Sequence, residues 1–537
     1  MVDWPSEHRL SGRWRDQTFL DDLRSAVQTH PAKPAVVARR VSDSSTRTLS
    51  YAELAQLTER CAVALAEMGL EPGDFVAVQL SNKWEITPLF FGCLRAGVRL
   101  CPLVPMYRRR ELRTMLGLTE ARAFITMAEL YGEPSGRQAM ELAAELPALE
   151  HVLVADGPAP EGARCFEDFF FGTAWEDQRT PPLDRREFGP DDPFLVLFTS
   201  GTTGEPKGVL HSQNTLFAAI RGEADRFGLD ESLVMAAASV CTHYTGFVQG
   251  MLMPLMLRGT MVFPDTLGGP AVLDLIEDQG ITFLYAAPPF LRDLRDVQRA
   301  SPRNVSSLKW LVSGSSPVPP QFVDEVRDDF GVRLHALWGM TENGPVTITR
   351  PADPQDWAAH SDGSPIAGME VRIDPMPGQP DGTGRLWVRG AAQCLGYFRR
   401  DDLYSSRLDA DGWFDTGDLA RPDGRGGIRI TGRVSDILLH HAFIVPTPEI
   451  EALIERHPKV REVALVGLPD GDGDEAMCAV VAPYGETVTL AEIREHLRDA
   501  GAMEWYWPDR VEMMQALPKT PTGKVLKSRL KKQFAGV

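Results

Sequence analysis

Thr199 to Lys207, reading TSGTTGEPK, is set between the apolar runs FLVLF and GVLH, and no other stretch constrains the chain as strongly. The flanking runs have the length and composition of buried strands, so the chain must leave one strand, pass through a loop dense in hydrogen-bond donors, and enter another. Gly201 and Gly204 permit left-handed turns and close backbone approach, which lets several N–H groups converge on one anion. Ser200, Thr202 and Thr203 add hydroxyl donors beside Thr199, and Lys207 adds a point charge where the loop re-enters a strand. A polar hairpin turn is the plain alternative; the donor density favours a polyphosphate cradle. It is not the common nucleotide P-loop, which ends Gly-Lys-Ser/Thr, because Pro206 precedes Lys207 and Gly208 follows it.

Around this loop the hydrophobic period switches repeatedly between that of helix and that of strand. SYAELAQLTERCAVALAEMGL opens with a Ser50-x-x-Glu53 capping box and predicts a helix ended by Gly69. FVAVQL, RLCPL and RAFITM predict strands separated by the helices ITPLFFGCLRAG and RRRELRTMLGL. Beyond the loop, NTLFAAIRGEADRFG reads as a helix, and MAAASV, TMVFP, ITFLYA and LKWLVSG read as strands. This alternation is the signature of an α/β fold. After Gly384 the pieces become short and β-rich, and near residues 437 to 537 a compact α+β pattern closes the chain. With 537 residues a single core is excluded, so a large N-terminal domain at 1–433 and a small one at 434–537 are expected.

The net charge of −18 argues against nonspecific nucleic-acid binding, so an anionic ligand must be held by local donors against the global field. Seven cysteines, widely spaced and without a CxxC pair, suit reduced thiols better than disulfides or zinc. The N-terminus has no signal-type apolar segment and no apolar run reaches membrane-spanning length, so a cytoplasmic protein without membrane partners is expected.

Four further stretches gain meaning beside the loop. LWGMTENGP sets Thr341 and Glu342 at the end of an apolar strand, where α/β folds commonly bind ligands. A carboxylate beside phosphates needs a cation between them, which makes Glu342 a candidate Mg²⁺ ligand; a capped strand-to-helix turn is the alternative. GWFDTGDL offers Asp418, an acceptor suited to two vicinal ribose hydroxyls, or an Asp-Gly-type turn. ITGRVSD supplies Arg433 and Asp436, as ribose contacts or a surface pair. LPKTPTGKVLKSRL presents Lys524 after a Pro-Thr-Gly turn, where an isolated lysine is otherwise simply solvated.

Together and in this order, the motifs resemble those of the adenylate-forming superfamily, which includes acyl-CoA synthetases, aryl-CoA ligases, luciferases and peptide-synthetase adenylation domains. The resemblance spans nearly the whole chain and implies a large α/β domain with mixed sheets plus a small mobile α+β domain, hinged at Ser435. It implies that the 199–207 loop holds the ATP β- and γ-phosphates, Glu342 holds Mg²⁺, Thr341 meets the α-phosphate, and Asp418 and Arg433 meet the ribose. Gly314, Ser315 and Ser316 match the adenine-side loop, with Trp338, followed by Gly339, where a tyrosine usually stands. Lys524 matches the lysine that bridges substrate carboxylate and α-phosphate.

In the stretch where amino-acid-activating relatives carry an aspartate for the α-ammonium, this chain reads SVCTHYTGFVQGM, which implies an acid without an α-amino group. His243, Tyr244, Gly246, Phe247, Ala286, Pro288 and Phe290 resemble acyl-pocket walls and suit a carbocyclic, aromatic or fatty acid; core packing is the alternative for Tyr244 and Phe290. CoA-ester-forming relatives usually follow the hinge with Arg-Gly-Gly, whereas this chain has His440, His441 and Ala442. Side chains there obstruct or reshape a path lined by glycine backbone. Paired histidines also suggest a metal, but neighbours in a strand point to opposite faces. The readings are therefore a CoA ligase of secondary-metabolism or catabolic type using ATP, Mg²⁺ and CoA, a partial or diverted enzyme (adenylation only, transfer from a supplied adenylate only, or amide formation), and an adenylate-binding protein without turnover. A monomer or homodimer is expected.

Overall fold

The computed structural model describes residues 4–178, 183, 187–200, 206–314, 318, 320–377, 379, 381–434, 438–440, 443–469, 475–519 and 525–535. Among these, the chain forms two large mixed sheets, two smaller ones and a β-ribbon. The helix Tyr51–Glu67 starts where its capping box requires: Ser50 Oγ accepts from Glu53 N–H, and Glu53 Oε2 accepts from Ser50 N–H at 2.8 Å. Gly69, with φ +90°, turns the chain away after it.

The described strands of one sheet run in the order 164–165, 151–155, 123–127, 75–78, 99–102, 195–200, 206–211, 396–397. Most pairs are parallel, and the hairpin Leu195–Ser200 with Pro206–His211 supplies an antiparallel edge. The second sheet places Phe283–Ala286, Trp310–Ser313 and Leu334–Met340 side by side in parallel, then continues antiparallel into Gly344–Ile348. Period-two alternation assigns each strand residue to a layer. Phe283 and Tyr285 join the main core, which also takes in Val36, Val76, Leu195 and the helices Tyr51–Glu67 and Ile86–Ala96; Leu284 and Ala286 join a separate core on the other face. Likewise Val76 and Val78 face the main core, while Phe75 and Ala77 face a third. The main core thus lies between the two sheets, with further helices outside each.

Strands Met369–Pro375, Gly384–Gly390, Phe414–Pro422 and Ile428–Arg433 form an antiparallel sheet whose last three strands make up the β-rich region expected after Gly384, while the first lies before it. The C-terminal segment has its own cores: Val460–Pro469, Glu475–Pro483 and Arg510–Met513 form a sheet against the helices Thr447–Ile454, Leu490–Asp499 and Lys527–Phe534. Arg421 and Glu449, 2.8 Å apart, pair this segment with the β-rich region.

Candidate functional site

The hairpin flanking the glycine-rich loop is in register through Phe198↔Gly208, Thr199↔Lys207 and Ser200↔Pro206. Gly201 to Gly204 themselves lie outside the described residues, as do Ser315, Ser316, Ser435, Asp436, His441, Ala442 and Lys524. Lys207, Glu342 and Asp418 are each 7% exposed, so three charged groups are withdrawn from water and need partners.

Lys207 sits on the strand Pro206–His211, with its ammonium 5.4 Å from the centroid of the Tyr397 ring. Burial pushes its pKa down, Arg407 adds repulsion, and the Glu342 carboxylate opposes both. Tyr397 pairs across this strand with Val209, and its hydroxyl donates to Glu342 Oε1 at 2.8 Å. The Cys394 amide donates to the Glu342 carbonyl at 2.7 Å. Glu342 is thereby fixed beside Lys207 from both its side chain and its backbone. It lies in the turn between Leu334–Met340 and Gly344–Ile348, the strand end where the sequence sets it.

Thr341, in the same turn, is held through its carbonyl, which accepts a hydrogen bond from His211 Nε2 at 2.8 Å. His211 Nδ1 lies 3.0 Å from Thr215 Oγ1, and complete burial lowers the His211 pKa to about 4, so the imidazole is neutral at pH 7. Gly339 and Gly314 are demanded by close backbone approach. A Cβ on Gly339 would lie 2.2 Å from the Gly344 carbonyl oxygen, and one on Gly314 would lie 2.7 Å from that of Leu337.

Asp418 and Arg433 are Cα partners in the β-rich sheet, and Arg433 Nε lies 3.0 Å from Asp418 Oδ1. Trp338 Nε1–H donates to Asp418 Oδ2 at 3.0 Å, tying the second large sheet to the β-rich one. Trp338 and Arg433 thus hold the Asp418 carboxylate in a fixed orientation.

Of the acyl-pocket candidates, Tyr244, Gly246 and Phe247 stand on or beside a π-helical segment, Thr245–Leu252. Such i→i+5 segments are rare and recur at functional sites. Tyr244 is buried, its ring 5.8 Å from that of His211. His243 is half-buried, its Nδ1 accepting from the Thr245 amide at 3.4 Å. Phe247 is fully buried and meets Phe90 edge-on at 4.9 Å. Pro288 begins the helix Pro288–Ala300, and Phe290 packs with Ala286 on the opposite face of its sheet from Tyr244 and Phe247. The structure thus groups Tyr244, Gly246 and Phe247 and leaves Phe290 in another layer.

His211 and Tyr397 are the supporting residues that sequence reasoning missed. Their signals are local: a histidine inside the apolar run GVLH and a tyrosine after Gly396, whose φ is +150°. Among the described residues no group of three or more His, Cys, Asp or Glu could hold a metal, and no helix is long and apolar enough to cross a membrane. The single carboxylate of Glu342 fits Mg²⁺, which is commonly held by one carboxylate together with substrate phosphates and water.

The model of the AMP-binding enzyme family matches residues 23–398, and that of the AMP-binding enzyme C-terminal domain matches residues 449–524. The chain is 31% identical to a salicyl-AMP ligase / salicyl-S-ArCP synthetase of Mycobacterium tuberculosis, across 99% of this chain and 94% of that one. It is 29% identical to a medium-chain fatty-acid–CoA ligase of Escherichia coli, across 98% of this chain and 92% of that one. The crystal structure of ATP-bound MatB from Rhodopseudomonas palustris superposes with a TM-score of 0.83 at 28% identity, covering 97% of this chain and 99% of that one.

Proposed function

This chain belongs to the AMP-binding enzyme family, the adenylate-forming ligases, and on that premise we propose that it activates a carboxylic acid without an α-amino group as its acyl adenylate and passes the acyl group to CoA. The observation that carries the reading is the convergence of Lys207, Thr341 and Glu342, with Asp418 tied by Trp338 to the strand that leads into the Thr341–Glu342 turn.

In the first half-reaction a substrate carboxylate oxygen attacks the α-phosphorus of ATP, the bond to the bridging β-oxygen breaks, and pyrophosphate leaves. Both partners are anionic, so catalysis is mainly positioning and neutralisation. Asp418 accepts from the ribose hydroxyls with Arg433 beside it. Thr199 to Lys207 receives the leaving pyrophosphate, Thr341 meets the α-phosphate, and Lys524 bridges carboxylate and α-phosphate. Gly314, Ser315, Ser316, Trp338 and Gly339 border the adenine. Mg²⁺, when bound at Glu342 with the phosphates, supplies charge neutralisation. In the second half-reaction the CoA thiol adds to the acyl carbon and AMP leaves, with the segment after Ser435 swinging as a unit to change the catalytic face. His243, Tyr244, Gly246, Phe247 and Pro288 are assigned to the acyl side, and Phe290, which packs in the core on the other face of its sheet, is not. The relatives named for fatty acid and salicylate support an apolar or aromatic acid.

A second reading keeps the adenylation and changes the acceptor. It is favoured by His440, His441 and Ala442 standing where CoA-ester-forming relatives usually carry Arg-Gly-Gly, and by the relative named as a salicyl-AMP ligase / salicyl-S-ArCP synthetase and not as a CoA ligase. The test incubates the protein with ATP, Mg²⁺ and a panel of acids, with and without CoA, and follows pyrophosphate and acyl-CoA by mass. Acid-dependent pyrophosphate with CoA-dependent thioester is expected. Pyrophosphate without thioester selects the second reading, and neither product with any acid overturns both.

A further inference from the structure

Arg407 is a cation beside the candidate phosphate site that the proposed chemistry does not use. It lies in the turn between the helix Asp401–Ser405 and the strand Phe414–Pro422, with its backbone pinned on both sides. Its N–H donates to the Tyr404 carbonyl at 2.9 Å, and its carbonyl accepts from the Asp415 N–H at 2.8 Å. The Tyr404 ring meets the Tyr397 ring edge-on at 5.6 Å, which anchors this turn to the residue that holds Glu342. The Arg407 side chain is 28% exposed and runs over Gly417, where an added Cβ would lie 3.3 Å from Arg407 Nη1. Gly417, with φ +74°, stands immediately before Asp418.

Arg407 holds Asp415 loosely. Its Nη1 donates to the Asp415 carbonyl at 3.4 Å and lies 3.6 Å from Asp415 Oδ2. That carboxylate is already engaged by Arg385 as a two-pronged pair, Nε to Oδ1 at 3.0 Å and Nη2 to Oδ2, and Oδ1 also accepts from the Gly417 amide at 3.0 Å. The forked pair is the strong form of this contact, so Arg407 adds a second guanidinium to a carboxylate that has its counter-ion. On the other side Arg407 acts on Lys207. Burial and then Arg407 push the Lys207 pKa down, Glu342 opposes them, and Arg400 adds to the same field. Lys207, Arg385 and Arg407 thus face two carboxylates, Glu342 and Asp415, in a chain whose net charge is −18. Cations gathered against the overall sign of the protein, with Lys207 buried among them, mark a place built for an anion.

We propose that Arg407 is a further phosphate ligand of the adenylation step, its guanidinium turning from Asp415 to grip the β- and γ-phosphates with Lys207 and then the pyrophosphate that leaves. The proposal rests on the acid-activating reading above and adds a residue that none of the sequence motifs contains. A guanidinium presents its N–H donors as a planar fork matched to two phosphate oxygens, whereas Lys207 supplies a point charge. As the bond from the α-phosphorus breaks, negative charge grows on the departing oxygen, and a second fixed cation stabilises it. Asp415 keeps Arg385 and the Gly417 amide when Arg407 turns away, so the turn bearing Asp418 stays in place.

The test compares wild-type, Arg407→Gln and Arg407→Lys proteins. Calorimetric titration with ATP, pyrophosphate and AMP, each with Mg²⁺, reads the phosphate contact without any acid. Arg407→Gln should weaken ATP and pyrophosphate by about tenfold or more, and AMP, which lacks the β- and γ-phosphates, by less than about twofold. Arg407→Lys should recover part of the lost affinity. In acid-dependent pyrophosphate–ATP exchange the KM values for ATP and pyrophosphate should rise in the same proportion, with the KM for the acid unchanged. AMP serves as the control for folding, because a disturbed turn before Asp418 costs AMP as much as ATP. An equal loss of AMP and ATP makes Arg407 a support of that turn and overturns the proposal, and so do unchanged affinities for ATP and pyrophosphate. Wild-type exchange with no acid at all refutes the ligase reading, and the ATP and AMP titrations still decide the phosphate contact.

Discussion

Replacing Glu223 by glutamine removes one titrating group from the main core and leaves its volume, so its effect on stability has a calculable dependence on pH. An ordinary glutamate titrates near 4.5, and burial raises this one to about 8. Between those values the unfolded chain has released the proton and the folded chain still holds it, so stability falls as pH rises and stops falling above about 8. At about 1.4 kcal/mol per pH unit, the whole interval corresponds to about 5 kcal/mol, an upper estimate for a group whose surroundings can relax. Tyr244 and Tyr285 do not interfere, because burial holds both phenols protonated well beyond this range. The assay is urea unfolding of wild-type and Glu223→Gln protein at pH 5, 6, 7 and 8, followed by far-UV circular dichroism. The difference between the two proteins isolates Glu223 from the other titrating groups. The glutamine variant should gain steadily on the wild type with rising pH, by at least about 2 kcal/mol over the series. A difference that stays flat, or that moves the other way, would refute the burial of a protonated carboxyl at this position.

Three further outcomes follow from the site. Asp418→Ala removes the acceptor shared by Trp338 and Arg433 and should raise the KM for ATP in pyrophosphate exchange by about tenfold or more, with a smaller change in the KM for the acid. Tyr397→Phe leaves Glu342 Oε1 without its donor and should weaken activation by Mg²⁺ by about tenfold, read from Mg²⁺ titrations at fixed ATP. His211 is held neutral, so as pH falls from 6.5 toward 4 the unfolded chain takes up a proton that the folded chain refuses, and about 3 kcal/mol is lost; His211→Gln should lack that acid-side loss in unfolding experiments at pH 4 to 7.

Much of the architecture is written locally. Ser50 and Glu53 specify a helix start that needs no tertiary information, and Gly69 specifies its end. The apolar runs on either side of Thr199 to Lys207 pair as a hairpin because each has the length and composition of a strand. What is not local is the side that a residue faces. Tyr285 and Phe290 both sit in YAAPPF, yet strand alternation followed by the helix start at Pro288 sends them to different cores. The supporting residues were hidden for the same reason. His211 finds Thr341 across 130 positions, and Tyr397 finds Glu342 across 55. Glu223 in GEADRF reads as part of a solvated helix face, and only tertiary packing buries it completely. Ser435, His441, Ala442 and Lys524 lie outside the described residues, so their roles rest on the motif alone.

The central claim is that a carboxylate oxygen of the substrate becomes bonded to the α-phosphorus of ATP, and isotopic labelling tests it most directly. An acid labelled with ¹⁸O in its carboxylate is incubated with the protein, ATP and Mg²⁺, with CoA or hydroxylamine to release the acyl group, and the products are weighed by mass spectrometry. The account predicts AMP carrying one labelled oxygen and unlabelled pyrophosphate. Label recovered in inorganic phosphate, with ADP as the nucleotide product, would contradict it, because attack would then fall on the γ-phosphorus.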